Sequence, residues 1–263
     1  CDHVRRFYDV WSRYIPTPFI HELFVPHKVN RSSEKFFAEE VIQLKEKFEE
    51  YSGKAISDDQ LSQSIQLFNK MRGLLRKISE TRKADPPPLT GTEFLEVMLP
   101  SLVMPKEEYI DMLEAYLEEL EKREPEEDDR LRVYLLGSEL DTTEYIQVIE
   151  DVGGLVVADD LCTGAKYFLD DVEENGDPVA AIAQRYLKRA ECPRMRPADT
   201  RLERIAETVE EYDIEAVVLE VIKFCNLYGE DYPILKKALD KLEVPVLLIN
   251  REYSMAGAGQ IRT

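Results

Sequence analysis

Cys225 closes the apolar run IEAVVLEVIKFC (214–225), and the chain turns polar at once, in NLYGEDY (226–232). A thiol at that point has three readings. It is a small hydrophobe closing a buried strand, a nucleophile, or a metal ligand. Helix-terminal amides just after it would favour a thiolate, and a soft thiolate suits an iron–sulfur cluster. A second stretch, DDLCTG (159–164), has a similar layout of strand end, two acids, thiol and glycine turn. Cys162 lies beside Asp159 and Asp160, whose charge disfavours its thiolate, so it is the weaker ligand. The two aspartates either bind a substrate group or cap the following turn.

The remaining candidates carry less. Cys192 sits in the proline-rich AECPRMRP, near Arg189, Arg194 and Arg196, a basic set that could meet phosphates or stay solvated. Cys1 is followed by Asp2 and His3, and a lone Cys-x-His is a thin metal signature. No CxxC pair occurs, so no zinc ribbon is read. GxSxG, GxxxxGK[ST] and GxGxxG are all absent. MAGAGQ (255–260) is a lone glycine-rich loop whose amides could approach an anion.

The bulk numbers narrow the class. The 263 residues are 44% hydrophobic, enough for one large core or two smaller ones. With 53 acidic against 34 basic residues the formal charge is −19, which repels nucleic acid and anionic membranes. No apolar run of about 18 residues spans a bilayer. Four widely separated cysteines read as reduced thiols in a cytoplasmic protein rather than a disulfide framework. The sequence opens on Cys1 without a signal peptide and stops at GQIRT, and so reads as cut at both ends.

Three parts must position these residues. Residues 1–31 read as the tail of a truncated α/β domain, a helix with Val4, Phe7, Tyr8 and Trp11 on one face, then an extended IPTPFIHELFVP. Residues 32–129 form a helical segment and charged linker. They hold SEKFFAEEVIQLKEKFEEY, a capping box in SDDQ at Ser57, a stiff DPPP break, TGTEF and PKEEYIDMLEAYLEEL. Residues 130–263 alternate strand and helix, with Asp177 and Pro178 opening one helix. Unbroken apolar strands in that alternation predict a flavodoxin- or Rossmann-like parallel sheet covered on both faces. Ligands of such sheets sit beyond the carboxyl ends. That rim takes in Ser138, residues 159–164, residues 225–229 and residues 251–253.

Three quoted stretches carry a family resemblance. CDHVRRFYDVW, DDLCTGAKYF and VIKFCNLYGEDYPILKKALDKLEVPVLLINREYSMAGAGQIRT are similar, in order and spacing, to the benzoyl-CoA reductase and 2-hydroxyacyl-CoA dehydratase family, in particular to D-component-like subunits of 2-hydroxyglutaryl-CoA dehydratase. The resemblance implies two flavodoxin-like halves with a helical portion and a [4Fe-4S] cluster held by three cysteines. Cys1 and Cys225 match the second and third. The first would lie upstream, so this stretch alone is not expected to retain the cluster. The implied chemistry is a lyase reaction of anaerobic metabolism. An ATP-dependent iron–sulfur activator supplies a low-potential electron, and an (R)-2-hydroxyacyl-CoA loses water through a ketyl radical that makes the β-proton acidic. The implied partners are a homologous second subunit, the activator and the acyl-CoA, with no nucleic acid and no membrane. The same toolkit serves an ATP-dependent benzoyl-CoA reductase, or an electron-relay or double-cubane homologue without substrate chemistry.

Overall fold

A computed structural model describes residues 2–189 and 192–252, with side chains from residue 5 onward. The chain divides into two compact units, Cys1–Gln66 with Val172–Pro197, and Leu67–Asp171 with Ala198–Thr263.

The second unit is built on four strands, β1 (Leu131–Gly137), β2 (Gly154–Asp160), β3 (Ala216–Ile222) and β4 (Val246–Arg251), all parallel in the order β2-β1-β3-β4. This is an α/β fold. Successive side chains of β1 point to opposite faces, and the core shows it. Val133 and Leu135 join Met71, Leu75, Phe94 and Ile146 in one cluster. Tyr134 and Leu136 join Ile205, Leu235 and Leu239 in another. One layer therefore comes from the end of α3 (Asp58–Thr81), α4 (Gly91–Met98), α5 (Lys106–Leu120) and α6 (Glu144–Asp151). The other comes from α9 (Asp199–Glu211) and α10 (Asn226–Asp240). A short α7 (Ala165–Phe168) follows β2. Burial on both faces is why β1, β2 and β3 read as continuous apolar runs.

Helix α4 is seated by polar contacts as well. Thr90 and Glu93 form a reciprocal capping box. The Glu150 carboxylate, from α6, accepts from Gly91 N at 2.8 Å and Thr92 N at 3.3 Å. A Cβ on Gly91 would meet Val156 Cβ at 2.5 Å and its carbonyl oxygen at 2.7 Å, so only glycine lets this helix reach β2.

The first unit holds α1 (Asp2–Tyr14), α2 (Arg31–Ser52), the start of α3, and α8 (Pro178–Lys188). Asn30 caps α2 by accepting from Ser32 N and Ser33 N, and Gly53 ends it in the left-handed region at φ 67°. Ser57 and Gln60 form the expected capping box at the start of α3. Asp177 caps α8 with Pro178 in its first turn. Residues 15–30 contain no helix or strand apart from an isolated bridge of Lys28 with Arg196. Phe37, Ala183, Leu187 and Met195 form the local core, with Cys192 packed against it.

Candidate functional site

Parallel strands bring all four carboxyl ends to one edge. The chain moves from β1 outward to β2, then back past β1 to β3, so the strand order reverses between β1 and β3. A crevice outside that reversal is where open α/β sheets hold ligands. Ser138 follows β1 there, and Lys223, Phe224 and Cys225 follow β3.

The β3 exit is tightly defined. Cys225 N donates to the Ile222 carbonyl at 2.8 Å, and Lys223 N donates to Arg251 O at 2.7 Å across to β4. Phe224 takes a left-handed φ of 72° although it is bulky and 72% exposed, a conformation that costs about 1 kcal/mol or more. Cys225 is then the N-cap residue of α10, and its carbonyl accepts from Gly229 N at 3.1 Å. The thiol is half-buried. It borders an open cavity of about 520 Å³, shared with Asn226, Gly229, Asn250, Arg251 and Glu252.

Behind this cavity lies a buried ion pair. Arg251 Nε donates to Glu220 Oε2, and its Nη2 donates to the Glu139 carbonyl. The Arg251 guanidinium sits 5.5 Å from the Tyr145 ring centroid. Burial raises the Glu220 carboxyl above its ordinary range, with Arg251 pulling the other way. Gly137, opposite Glu220 in the register, leaves room for that carboxylate, since a Cβ would come 2.5 Å from Glu220 Cγ. The Ser138 hydroxyl is buried without a hydrogen-bond partner among the described residues.

The β2 exit is committed to structure. Asp159 Oδ1 accepts from Ala165 N at 2.8 Å, and its Oδ2 meets Arg82 at 3.1 Å. Asp160 pairs with Lys166 at 2.7 Å. Of the two roles expected for these aspartates, turn capping is the one Asp159 fills. Cys162 follows on the same rim, half-buried, with its N–H donating to Ser138 O at 2.9 Å. Arg194 donates to the Val25 carbonyl and Arg196 to Pro193 O at 2.9 Å, so both stabilise the first unit's loops.

Cys1 and the MAGAGQ stretch lie outside the described residues. Among the described residues no group of three or more His, Cys, Asp and Glu side chains could hold a metal ion. Among the described residues the thiols at the rim are Cys225, after β3, and Cys162, after the non-adjacent β2, whereas iron–sulfur clusters take about three or four thiolates. The described residues therefore do not by themselves fit a cluster. The Glu220–Arg251 and Lys166–Tyr228 contacts were not foreseen from sequence. Glu220 did leave a signal, a single carboxylate inside the apolar strand AVVLEVI.

Sheet order and helical layers define an α/β domain with a half-buried thiol at its carboxyl-end rim. The family follows from a match along residues 1–263, and the chain belongs to the 2-hydroxyglutaryl-CoA dehydratase, D-component family. It is 29% identical to YjiM of Escherichia coli (strain K12), named for a dehydratase subunit, over all of this chain and 70% of that one. It is 25% identical to the (R)-phenyllactyl-CoA dehydratase beta subunit of Clostridium sporogenes, over 83% of this chain and 58% of that one. It is 26% identical to one of the benzoyl-CoA reductase subunits of Thauera aromatica, over 94% and 66%. The chain thus spans between 58% and 70% of the length of these relatives. Among the described residues no helix is long and apolar enough to cross a membrane.

Proposed function

We propose that this chain is part of the iron–sulfur subunit of a cytoplasmic 2-hydroxyacyl-CoA dehydratase. It would act beside a homologous second subunit and receive a low-potential electron from an ATP-dependent iron–sulfur activator. The reaction is the reductive, radical elimination of water from an (R)-2-hydroxyacyl-CoA. Cys225 is proposed as one thiolate ligand of a [4Fe-4S] cluster and Cys1 as another, with a third from outside these residues. The observation that carries the reading is the place of Cys225, a half-buried thiol between the end of a central strand and the first turn of α10, facing an open cavity. When bound, the cluster would supply the electron and a Lewis-acidic iron.

The chain's own residues have simpler tasks. No side chain caps the first turn of α10, which Cys225 opens beside the cavity. The Glu220–Arg251 pair fixes the β3 and β4 exits on either side of the cavity. Lys223 and Glu252, paired at 2.7 Å, sit at its exposed edge. Similarity to the benzoyl-CoA reductase of Thauera aromatica supports a second reading, a reductase subunit acting on an aromatic acyl-CoA.

The test is anaerobic purification of the protein with its partner subunit, followed by iron and sulfide analysis. Cys225→Ala should lose the cluster and Cys192→Ala should keep it. Iron retained in Cys225→Ala would remove the ligand assignment. Supplying (R)-2-hydroxyacyl-CoA or benzoyl-CoA with activator, ATP and reductant separates the two readings.

A further inference from the structure

Helix α10 runs on from Cys225 with a proline, Pro233, two turns in. A proline has no N–H to give the Gly229 carbonyl, and its ring crowds that carbonyl. At the other end Phe224 holds a left-handed φ of 72°. The stretch Cys225–Tyr232 is therefore bounded by a strained residue and a broken helical bond.

Two buried cations grip this same stretch through side chains. Lys166, from α7, donates to the Tyr228 hydroxyl at 3.0 Å while paired with Asp160 at 2.7 Å. Arg201, from α9, meets both Asp231 oxygens at 2.7 and 2.6 Å. Tyr228 and Asp231 are 5% and 3% exposed. Apolar groups of similar volume could hold a helix equally well, whereas a buried ion pair fixes register, because any slip strands a charge.

We propose that Lys166 and Arg201 are positioning residues for Cys225. They add two side-chain clamps to a helix that lacks the backbone bond Pro233 cannot give, and so fix where the sulfur sits on the rim. This rests on the reading of Cys225 as a functional thiol.

The test is site-resolved iodoacetamide labelling of the full chain, with Cys162 and Cys192 as internal references. Tyr228→Phe removes one hydroxyl and leaves the Lys166–Asp160 pair. Arg201→Ala cuts the second clamp, and Arg201→Lys can re-form it. The Cys225 rate should rise about fivefold in Tyr228→Phe and in Arg201→Ala. It should return in Arg201→Lys while Cys162 and Cys192 stay unchanged. An unchanged Cys225 rate in Tyr228→Phe, or a joint rise of all three thiols, overturns the proposal. If Arg201→Ala does not fold, Tyr228→Phe decides alone. Labelling is done on the cluster-free chain, because a thiolate bound to iron would be shielded from alkylation, and iron content of the protein purified anaerobically with its partner tests the ligand reading separately.

Discussion

Arg82 and Asp159 meet at 3.1 Å with side chains only 1% and 4% exposed, a guanidinium just past α3 against a carboxylate ending β2. Arg82 also stacks over Phe94, 3.6 Å from the ring centroid, and donates to Ser79 Oγ at 2.9 Å. The pair ties the helical layer to the sheet edge that carries the rim.

Breaking this pair on one side leaves a buried charge unpaired. Arg82→Met should cost about 3–5 kcal/mol in urea unfolding. Arg82→Met with Asp159→Asn should cost much less, because the amide keeps an acceptor for Ala165 N and carries no charge. Equal losses in the single and double variants would show that stacking on Phe94, rather than charge pairing, is what Arg82 contributes.

Two glycines should respond in opposite directions to alanine. Gly91→Ala puts a Cβ 2.7 Å from the Val156 carbonyl oxygen, a backbone atom that cannot swing away. It should lower stability by about 1–3 kcal/mol. Gly73, inside α3, would make only an ordinary contact with Arg76 at 3.8 Å. Gly73→Ala should raise stability by about 0.5–1 kcal/mol. A Gly91→Ala melt that does not fall would contradict the seating of α4 on β2.

Glu220 should leave a mark on the pH dependence of stability. Its carboxyl is raised chiefly by burial, against the pull of Arg251. A raised folded value means that the folded state holds the proton more tightly. The associated stability is present below the unfolded value and is lost as pH rises through the folded one. Glu220→Gln cannot ionise, so its unfolding midpoint should fall less steeply than that of the unmodified protein over this rise. Parallel pH profiles for the two proteins would rule out this role.

Much of the fold was legible because it is written in local patterns. Strands β1, β2 and β3 are the apolar runs that both-face burial requires, while β4 is partly exposed. Ser57 with Gln60 and Asp177 with Pro178 mark helix starts by chemistry that acts within one turn. The placement of Ser138, Asp159 and Cys225 at strand ends follows from the same patterns once the strands are parallel.

The sequence by itself determined the strand–helix alternation, the helix starts and the strand-end position of Cys225, since each depends on neighbours a few residues away. Only the tertiary structure decided which charges go inside. Arg82 finds Asp159, Lys166 finds Tyr228 and Arg251 finds Glu220 across 77, 62 and 31 residues of chain. In an acidic sequence each such residue looks like one more solvated charge. Burial with a distant partner is a property of packing, and packing exists only after the layers have come together.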